Sequence, residues 1–284
     1  MDLTPIRKTA VTSLATGAYT DFAPEWSRSI SEHWPEAQQF ILSDGLTDCF
    51  QDVDFTVLPW GHLRWPFSTN FRHSALLAYA EVFAEFDLLI HVDVDAKFIG
   101  LPVLPLSGLF ALQHPGYPQG RAEYAPFEDR RECLAYVPSD RRVSYFAGGF
   151  QGGDTVSFLQ ACLTIQEWSL HDFRNGLVPI WHDESYWNRY CSESDKVVVL
   201  GSVDDENNPN IAGQDFLVFL EKDHTFYRFP DQNLRYLRAA ARRLTSILKS
   251  SQWYRAVRDL VRSLVKRAPA GIRLRSPGAD ENNR

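Results

Sequence analysis

A short apolar run that ends abruptly in acid constrains this chain most: Phe86-Asp87-Leu88-Leu89-Ile90-His91-Val92-Asp93-Val94-Asp95-Ala96-Lys97-Phe98. Leu88 to Val92 reads as a buried strand of a parallel sheet, covered on both faces. Ligands of open α/β sheets gather at the carboxyl ends of strands, so Asp93 and Asp95 are expected on the rim of a cleft. Two carboxylates one residue apart can give oxygen ligands to a hard divalent cation, which can also hold a diphosphate. An isolated Asp-x-Asp also fits a plain solvated strand end, and the apolar strand before it is what favours the metal reading.

The first hundred residues alternate between strand and helix signals. Thr9 to Thr16 reads as a strand ended by Gly17, and Pro24 to Trp34 as a helix with Pro near its first turn. Gln39 to Ser43 and Val53 to Leu58 read as further strands, with Asp44-Gly45 as a turn. Helical spacing follows from Phe67 to Phe86. This order predicts an α/β fold with a mostly parallel, Rossmann-like sheet. No Gly-x-Gly-x-x-Gly follows the first strand, so the dinucleotide fingerprint is absent.

Leu101 to Pro138 reads as loop, punctuated by six prolines. Ser144 to Phe150 returns to strand and runs into Gly148-Gly149-Phe150-Gln151-Gly152-Gly153. Two glycine pairs this close suggest either backbone approaching a bulky sugar or phosphate, or a bulge or tight turn. Asp154 suits an N-cap for a helix from Thr155 to about His171. Trp181-His182-Asp183-Glu184-Ser185 precedes helix through Tyr190, and Val197 to Leu200 reads as a last strand.

Hydrophobic content of 44% and eight Trp indicate a folded globular chain. Cys49, Cys133, Cys162 and Cys191 form no metal or redox spacing, so reduced thiols and a cytoplasmic location are expected. Met1 to Thr9 holds no long apolar run, so neither a signal peptide nor an N-terminal membrane anchor is expected. The net charge of −7 hides an asymmetry. Residues 235–275 carry twelve Lys or Arg and one acid, Asp259, whereas the first 234 residues carry 16 bases and 33 acids. In the basic stretch Leu237, Ala241, Leu244, Leu248, Trp253, Val257, Leu260, Val261 and Leu264 recur at helical spacing. That is the pattern of an amphipathic helix on an anionic membrane, here the inner face. Docking on the acidic body is the alternative, and nucleic acid is not expected as a partner. Domains are therefore expected at 1–230 (catalytic) and 231–284 (basic helical tail with a disordered end).

His182-Asp183-Glu184 is a second acidic cluster, and adjacent acids at a helix start are often only first-turn residues favoured by the dipole. Its order in the chain adds to this. Asp93-Val94-Asp95, His114-Pro115-Gly116-Tyr117, Ala135-Tyr136-Val137-Pro138, the Tyr145–Gly153 stretch and Trp181–Ser185 follow one another at fixed spacing. Together they resemble glycosyltransferase family 6, the retaining α-1,3-galactosyl- and N-acetylgalactosaminyltransferases, over roughly Val11 to His224.

The resemblance implies a GT-A fold and a site residue by residue. Tyr19 would pack on uracil. Arg72 would contact donor and active-site acids. Asp93 and Asp95 would hold Mn²⁺ against the diphosphate of the UDP-sugar, with Val94 between them at the donor. Ala147, Gly148 and Gly149 would shape the donor sugar's seat, and the small Ala147 and Gly149 lean towards UDP-GalNAc over UDP-Gal. His114 and Trp181 would bind the galactoside acceptor. Glu184 would lie beneath the anomeric carbon as nucleophile or electrostatic stabiliser, two routes left open, and would also meet the acceptor. Asp183 would bind donor hydroxyls and pair with Arg72. Lys222, in Leu220–His224, would reach the diphosphate. Two features depart from the family: the acidic, Asn-rich Ser202–Asn210, and a start close to the first strand, which suits a soluble or peripheral microbial form. The rival expectation is a catalytically idle carbohydrate- or nucleotide-sugar-binding protein tethered by its basic tail.

Overall fold

The computed structural model describes residues 7–44, 54–63, 65–105, 107–117, 122–194, 197–201, 216–222, 259–261 and 263. Strand β1 (Thr9–Leu14) leads into helix α1 (Ala23–His33), then β2 (Gln38–Ser43) and β3 (Phe55–Pro59). Three short helices follow, α2 (Phe67–Asn70), α3 (Arg72–Ala78) and α4 (Ala80–Phe83), before β4 (Leu88–Val92) and β5 (Ala96–Phe98). Beyond these come β6 (Leu109–Gln113), β7 (Phe146–Asp154), α5 (Thr155–Arg174), α6 (Asp183–Ser192), β8 (Val197–Leu200) and β9 (Leu217–Phe219).

The large sheet has the order β3-β2-β1-β4-β7-β6-β8, and β5 pairs with β9 in a small second sheet. β1, β2, β3 and β4 pair in parallel, as do β6 and β8, while β7 runs antiparallel to both of its neighbours. The sheet is thus mostly parallel with one reversed strand, a mixed α/β architecture that fits the GT-A expectation. β4 lies at its centre, and every one of its residues is buried.

Side chains alternating across the pleat feed two cores. Leu88, Ile90 and Val92 of β4 join Val11, Ile41, Phe110 and Phe150 against Trp26 and Ile30 of α1. Leu89 faces the other way, with Phe40, Leu42 and Ala111, under α3, α5 and α6. Trp26 and Trp187, one in each core, are fully buried, so truncating either to Ala should cost about 3–5 kcal/mol. α5 starts where expected: Asp154 caps it by accepting from the Ser157 amide at 3.0 Å.

Three expectations need correction. The helix predicted over Phe67–Phe86 is broken at Phe71 and Tyr79, where the backbone leaves helical geometry. The loop-rich Leu101–Pro138 conceals β6, whose five residues are all buried; proline counts hid a strand lying between them. The glycine pairs are not a tight turn, because they lie within β7, Gly148-Gly149 in an irregular stretch of it and Gly152-Gly153 in regular pairing. A Cβ on Gly152 would stand 2.6 Å from the Phe110 ring, and one on Gly153 would stand 2.6 Å from the Gly108 carbonyl oxygen. These glycines let protein pack on protein.

The tail 231–284 lies outside the described residues except for 259–261 and 263. Asp259–Val261 is helical, and Val261 is fully buried in the α5/α6-side core, the behaviour of the docking alternative. Among the described residues no helix is long and apolar enough to cross a membrane.

Candidate active site

The reversed direction of β7 brings its first residues beside the carboxyl end of β4. The ladder continues one step past the strand: the Asp93 amide donates to the Gly149 carbonyl at 2.8 Å. On its other edge β7 leaves β6. Ala111 faces Gln151, yet Gln113 faces Phe146, so an irregularity opens across Ala147–Phe150. Bulges beside a cleft release backbone groups from the ladder. The released groups are the ones the site uses: the Gly148 amide donates to Glu184, and the Gly148 carbonyl accepts from Arg72 and Gln151.

Arg72, at the first turn of α3, is buried and binds three partners at once. It donates to the Gly148 carbonyl at 2.5 Å, meets Asp93 at 2.8 Å and meets Asp183 at 3.2 Å. Burial alone would lower its pKa, but Asp183 and then Asp93 hold it above its ordinary value. Burial would raise Asp93, and Arg72, helped by His91 and Lys222, more than reverses that. Asp183 fares otherwise: burial pushes it up to about 7, and Arg72 only partly opposes. One guanidinium cannot fully serve two carboxylates, and the buried Asp183 is the one left raised.

Glu184, in the first turn of α6, has both oxygens engaged. Oε1 accepts from the Tyr145 hydroxyl at 2.7 Å and Oε2 from the Gly148 amide at 2.8 Å. Burial raises its pKa while these two donors oppose the rise. A Cβ at Gly148 would stand 2.8 Å from the Glu184 Cβ, so glycine is what allows the helix start to press on the strand. The residue before the pair, His182, has φ 54° and ψ −126°, and the Glu184 amide donates to the Trp181 carbonyl at 3.1 Å. That is the first central position of a type II′ turn, which favours glycine; a histidine there costs about 1–3 kcal/mol.

The opposite wall comes from β9. Pairing of Ala96 with Phe219 and of Phe98 with Leu217 places β9 directly after the Asp-x-Asp, and the Leu220 amide donates to the Asp95 carbonyl at 2.7 Å. Lys222 thereby forms an ion pair with Asp95 and lies 5.1 Å from the centre of the Tyr19 ring. Burial raises Asp95, as does Asp93, against the pull of Lys222.

Between these walls lies a cleft of about 540 Å³ lined by Asp93, Asp95, His114, Ala147, Gly149, Glu184 and the strap Phe219–Lys222. His114 is pushed down to about 4 by burial, and its Nδ1 accepts from the Gly116 amide at 3.0 Å. Asp183 reaches the site through Arg72, and Tyr19 through Lys222. Val94 is different: its side chain is buried in the α1-side core, so only its backbone could serve a donor. Gly148 serves through its backbone, already bonded within the protein. Trp181 is 44% exposed on the turn that enters α6 and is not among the residues lining the cleft.

Sequence reasoning missed three contributors. Tyr145 stood inside a quoted motif, but only the fold aims its hydroxyl at Glu184. Gln151 links His73 (2.8 Å) to the Gly148 carbonyl (2.9 Å) from beneath. Phe219 fills the space over Gly149, 2.6 Å from where a Cβ would lie. Gln151 stood in the same quoted stretch as Tyr145 without a role of its own, and no sequence signal marked Phe219.

Asp93, Asp95, Asp183 and Glu184 face two cations, Arg72 and Lys222. The surplus of negative charge and the two oxygen-donor carboxylates on the cleft wall fit a hard divalent cation. Among the described residues no group of three or more His, Cys, Asp or Glu gathers as a ready-made metal cage, so further ligands would have to come from substrate and water.

Comparison with known proteins agrees with this arrangement. The sequence model of glycosyltransferase family 6 matches residues 72–204. Over 109 residues the chain is 38% identical to histo-blood group ABO system transferase 1 of Rattus norvegicus, covering 37% of this chain and 31% of that protein. It is 26% identical over 234 residues to globoside alpha-1,3-N-acetylgalactosaminyltransferase 1 of Homo sapiens, covering 75% and 66%. It is 28% identical over 129 residues to the O-antigen biosynthesis glycosyltransferase WbnI of Escherichia coli, covering 44% and 55%. The matched stretch thus spans about a third of the rat protein's length and about half of the bacterial one's. The family match contains Arg72, the Asp-x-Asp, the β7 glycines and the Asp183-Glu184 pair, and over this stretch the chain is similar to glycosyltransferase family 6.

Proposed function

We propose that the chain is a retaining α-1,3-hexosyltransferase that moves GalNAc or Gal from the UDP-sugar to a galactoside on an oligosaccharide or glycolipid. The observation that carries this is Glu184, a buried carboxylate with both oxygens oriented, facing a cleft whose other wall bears Asp93, Asp95 and Lys222. The family match over residues 72–204 and the relatives' names support the reaction class.

In this reading the bond between the anomeric carbon and the diphosphate oxygen breaks, UDP departs, and an acceptor hydroxyl forms the new bond on the same face. Glu184 lies where positive charge develops on the sugar, either attacking it or stabilising it. Tyr145 and the Gly148 amide fix its direction and leave it no reorganisation to make during reaction. Asp93 and Asp95 would hold Mn²⁺ or another divalent cation, which when bound neutralises charge on the diphosphate. Lys222 leaves Asp95 to pair with the diphosphate, and Tyr19 stacks on the uracil. The small Ala147 on the cleft wall leaves room for an N-acetyl group, favouring UDP-GalNAc, whereas the space over Gly149 is taken by Phe219. His114 and Trp181 bind the acceptor.

The catalytic domain is taken as 1–230. Val261 supports docking for its own turn of the tail. The surrounding Arg and Lys are left to meet the acidic body or an anionic membrane, in keeping with a cytoplasmic, peripheral enzyme. Deletion after Asn233 should release the protein from anionic vesicles, and undiminished binding would remove the membrane from this reading.

The deciding experiment is UDP release by purified protein with Mn²⁺, comparing UDP-Gal and UDP-GalNAc, with and without fucosylated and plain galactosides. Acceptor-stimulated release with one donor is expected. Metal-dependent donor binding without release under any pairing would favour the idle binding protein instead.

A further inference from the structure

We infer that Glu128 and Arg130, on the loop between β6 and β7, are positioning residues that hold the strained turn delivering Glu184 and displaying Trp181. The inference rests on the reading of Glu184 as the carboxylate of transfer.

Glu128 is 3% exposed, far from the chemistry in sequence, and fully used. Its Oε1 accepts from the Arg130 amide at 3.0 Å and Nε at 2.8 Å; its Oε2 accepts from Arg130 Nη2 at 2.7 Å and from the Ile180 amide at 2.9 Å. Arg130 Nη2 also donates to the Val178 carbonyl at 2.7 Å. The pair therefore clasps both sides of Pro179. From there a short chain of bonds runs to the site: the His182 amide to the Pro179 carbonyl at 3.1 Å, the Trp181 amide to Ser185 Oγ at 3.0 Å, and the Glu184 amide to the Trp181 carbonyl at 3.1 Å. At its centre is His182, in a backbone conformation suited to glycine, with the Trp65 ring 4.7 Å from its own.

A non-glycine residue stays in such a conformation only where its surroundings over-determine it. Local hydrogen bonds of the turn alone would let it relax, swinging Trp181 and rotating the first turn of α6. A bidentate pair between the buried Glu128 carboxylate and the half-exposed Arg130 guanidinium supplies the rigid anchor. Glu128 and Arg130 touch no reacting atom, so they act through the turn.

The test compares wild type with Glu128→Gln, Arg130→Lys, and Glu128→Gln combined with His182→Gly, reading backbone hydrogen exchange across residues 178–186 and steady-state transfer. Glu128→Gln should speed exchange of the Ile180 and Glu184 amides roughly tenfold. It should lower kcat roughly tenfold with donor KM unchanged, as small misplacements do. Adding His182→Gly should recover about threefold or more of both, because glycine takes that φ without strain. Arg130→Lys, which keeps charge but loses the fork, should behave like Glu128→Gln and serves where that variant does not fold. Unchanged exchange, or a loss that His182→Gly does not restore, overturns the proposal. Exchange as expected in a wild-type protein that releases no UDP would instead sink the transferase reading and leave the clasp standing.

Discussion

The two walls of the cleft are built by opposite means. The β7/α6 wall holds Glu184 and Asp183 on elements packed into the main core, and its charges are tied through buried partners: Arg72, Tyr145 and the Gly148 amide. The β9 wall reaches Asp95 through three paired residues and one ammonium, Lys222. The first is suited to preorganised electrostatics, which lose value if they move. The second is suited to exchange, because a single ion pair can be traded for a ligand's charge at small cost. Orientation and capture are thus assigned to different walls.

The sharpest way to break this comparison is Arg72→Met. It leaves the buried Asp183 and the half-buried Asp93 without their cation, and a loss of about 3 kcal/mol is expected in urea unfolding; wild-type stability would mean the β7/α6 wall is not held as described. Next in size is Glu184→Gln, which should reduce transfer by about 10²–10³ while donor binding and melting temperature stay near wild type. Full turnover in that variant would remove Glu184 from the reaction.

A third prediction concerns acid. His73 is pushed down to about 3 and His91 to about 4, burial being the main cause in each. These two histidines therefore bind fewer protons in the folded chain than in the unfolded one below pH 6.5, and their contribution to stability falls as pH drops from there towards 3–4, with the raised Asp183 acting in the opposite sense. A pKa lowered this far is worth a few kcal/mol across that window. Urea midpoints at pH 7 and 4.5 should separate strongly in wild type and less in His73→Gln; equal separations would place His73 outside the buried network under Gly148. The smallest effect belongs to Lys222→Ala. Asp95, already raised, can take up a proton once its partner is gone, so a smaller loss than in Arg72→Met is expected, together with weaker UDP binding by calorimetry. A large loss of stability would show that the β9 wall is as fixed as the other.

The same contrast explains what could be read from sequence. β4 and its acids were legible because five consecutive buried residues and a sudden carboxylate leave few alternatives. Arg72, Asp183 and Glu184 were legible only through linked motifs, since a first-turn acid looks alike whether it serves a dipole or a reaction. β6 was hidden by neighbouring prolines, and the roles of Tyr145, Gln151 and Glu128 depend on contacts across 39, 78 and 52 residues that no local pattern encodes. The glycines of β7 invited a ligand, and Gly149 does line the cleft, while Gly148, Gly152 and Gly153 are set against Glu184, Phe110 and Gly108.

β7 is keyed at one end and read at the other. Gly152 and Gly153 fit only where they are, against Phe110 and Gly108, and strand pairing transmits that fit along the reversed strand to Gly149 and Gly148. A slip of one residue at the far end would turn every side chain to the wrong face and carry the Gly148 amide away from Glu184. The alignment of the carboxylate is therefore a matter of register as much as of local chemistry, and it is set at the end of β7 away from the cleft.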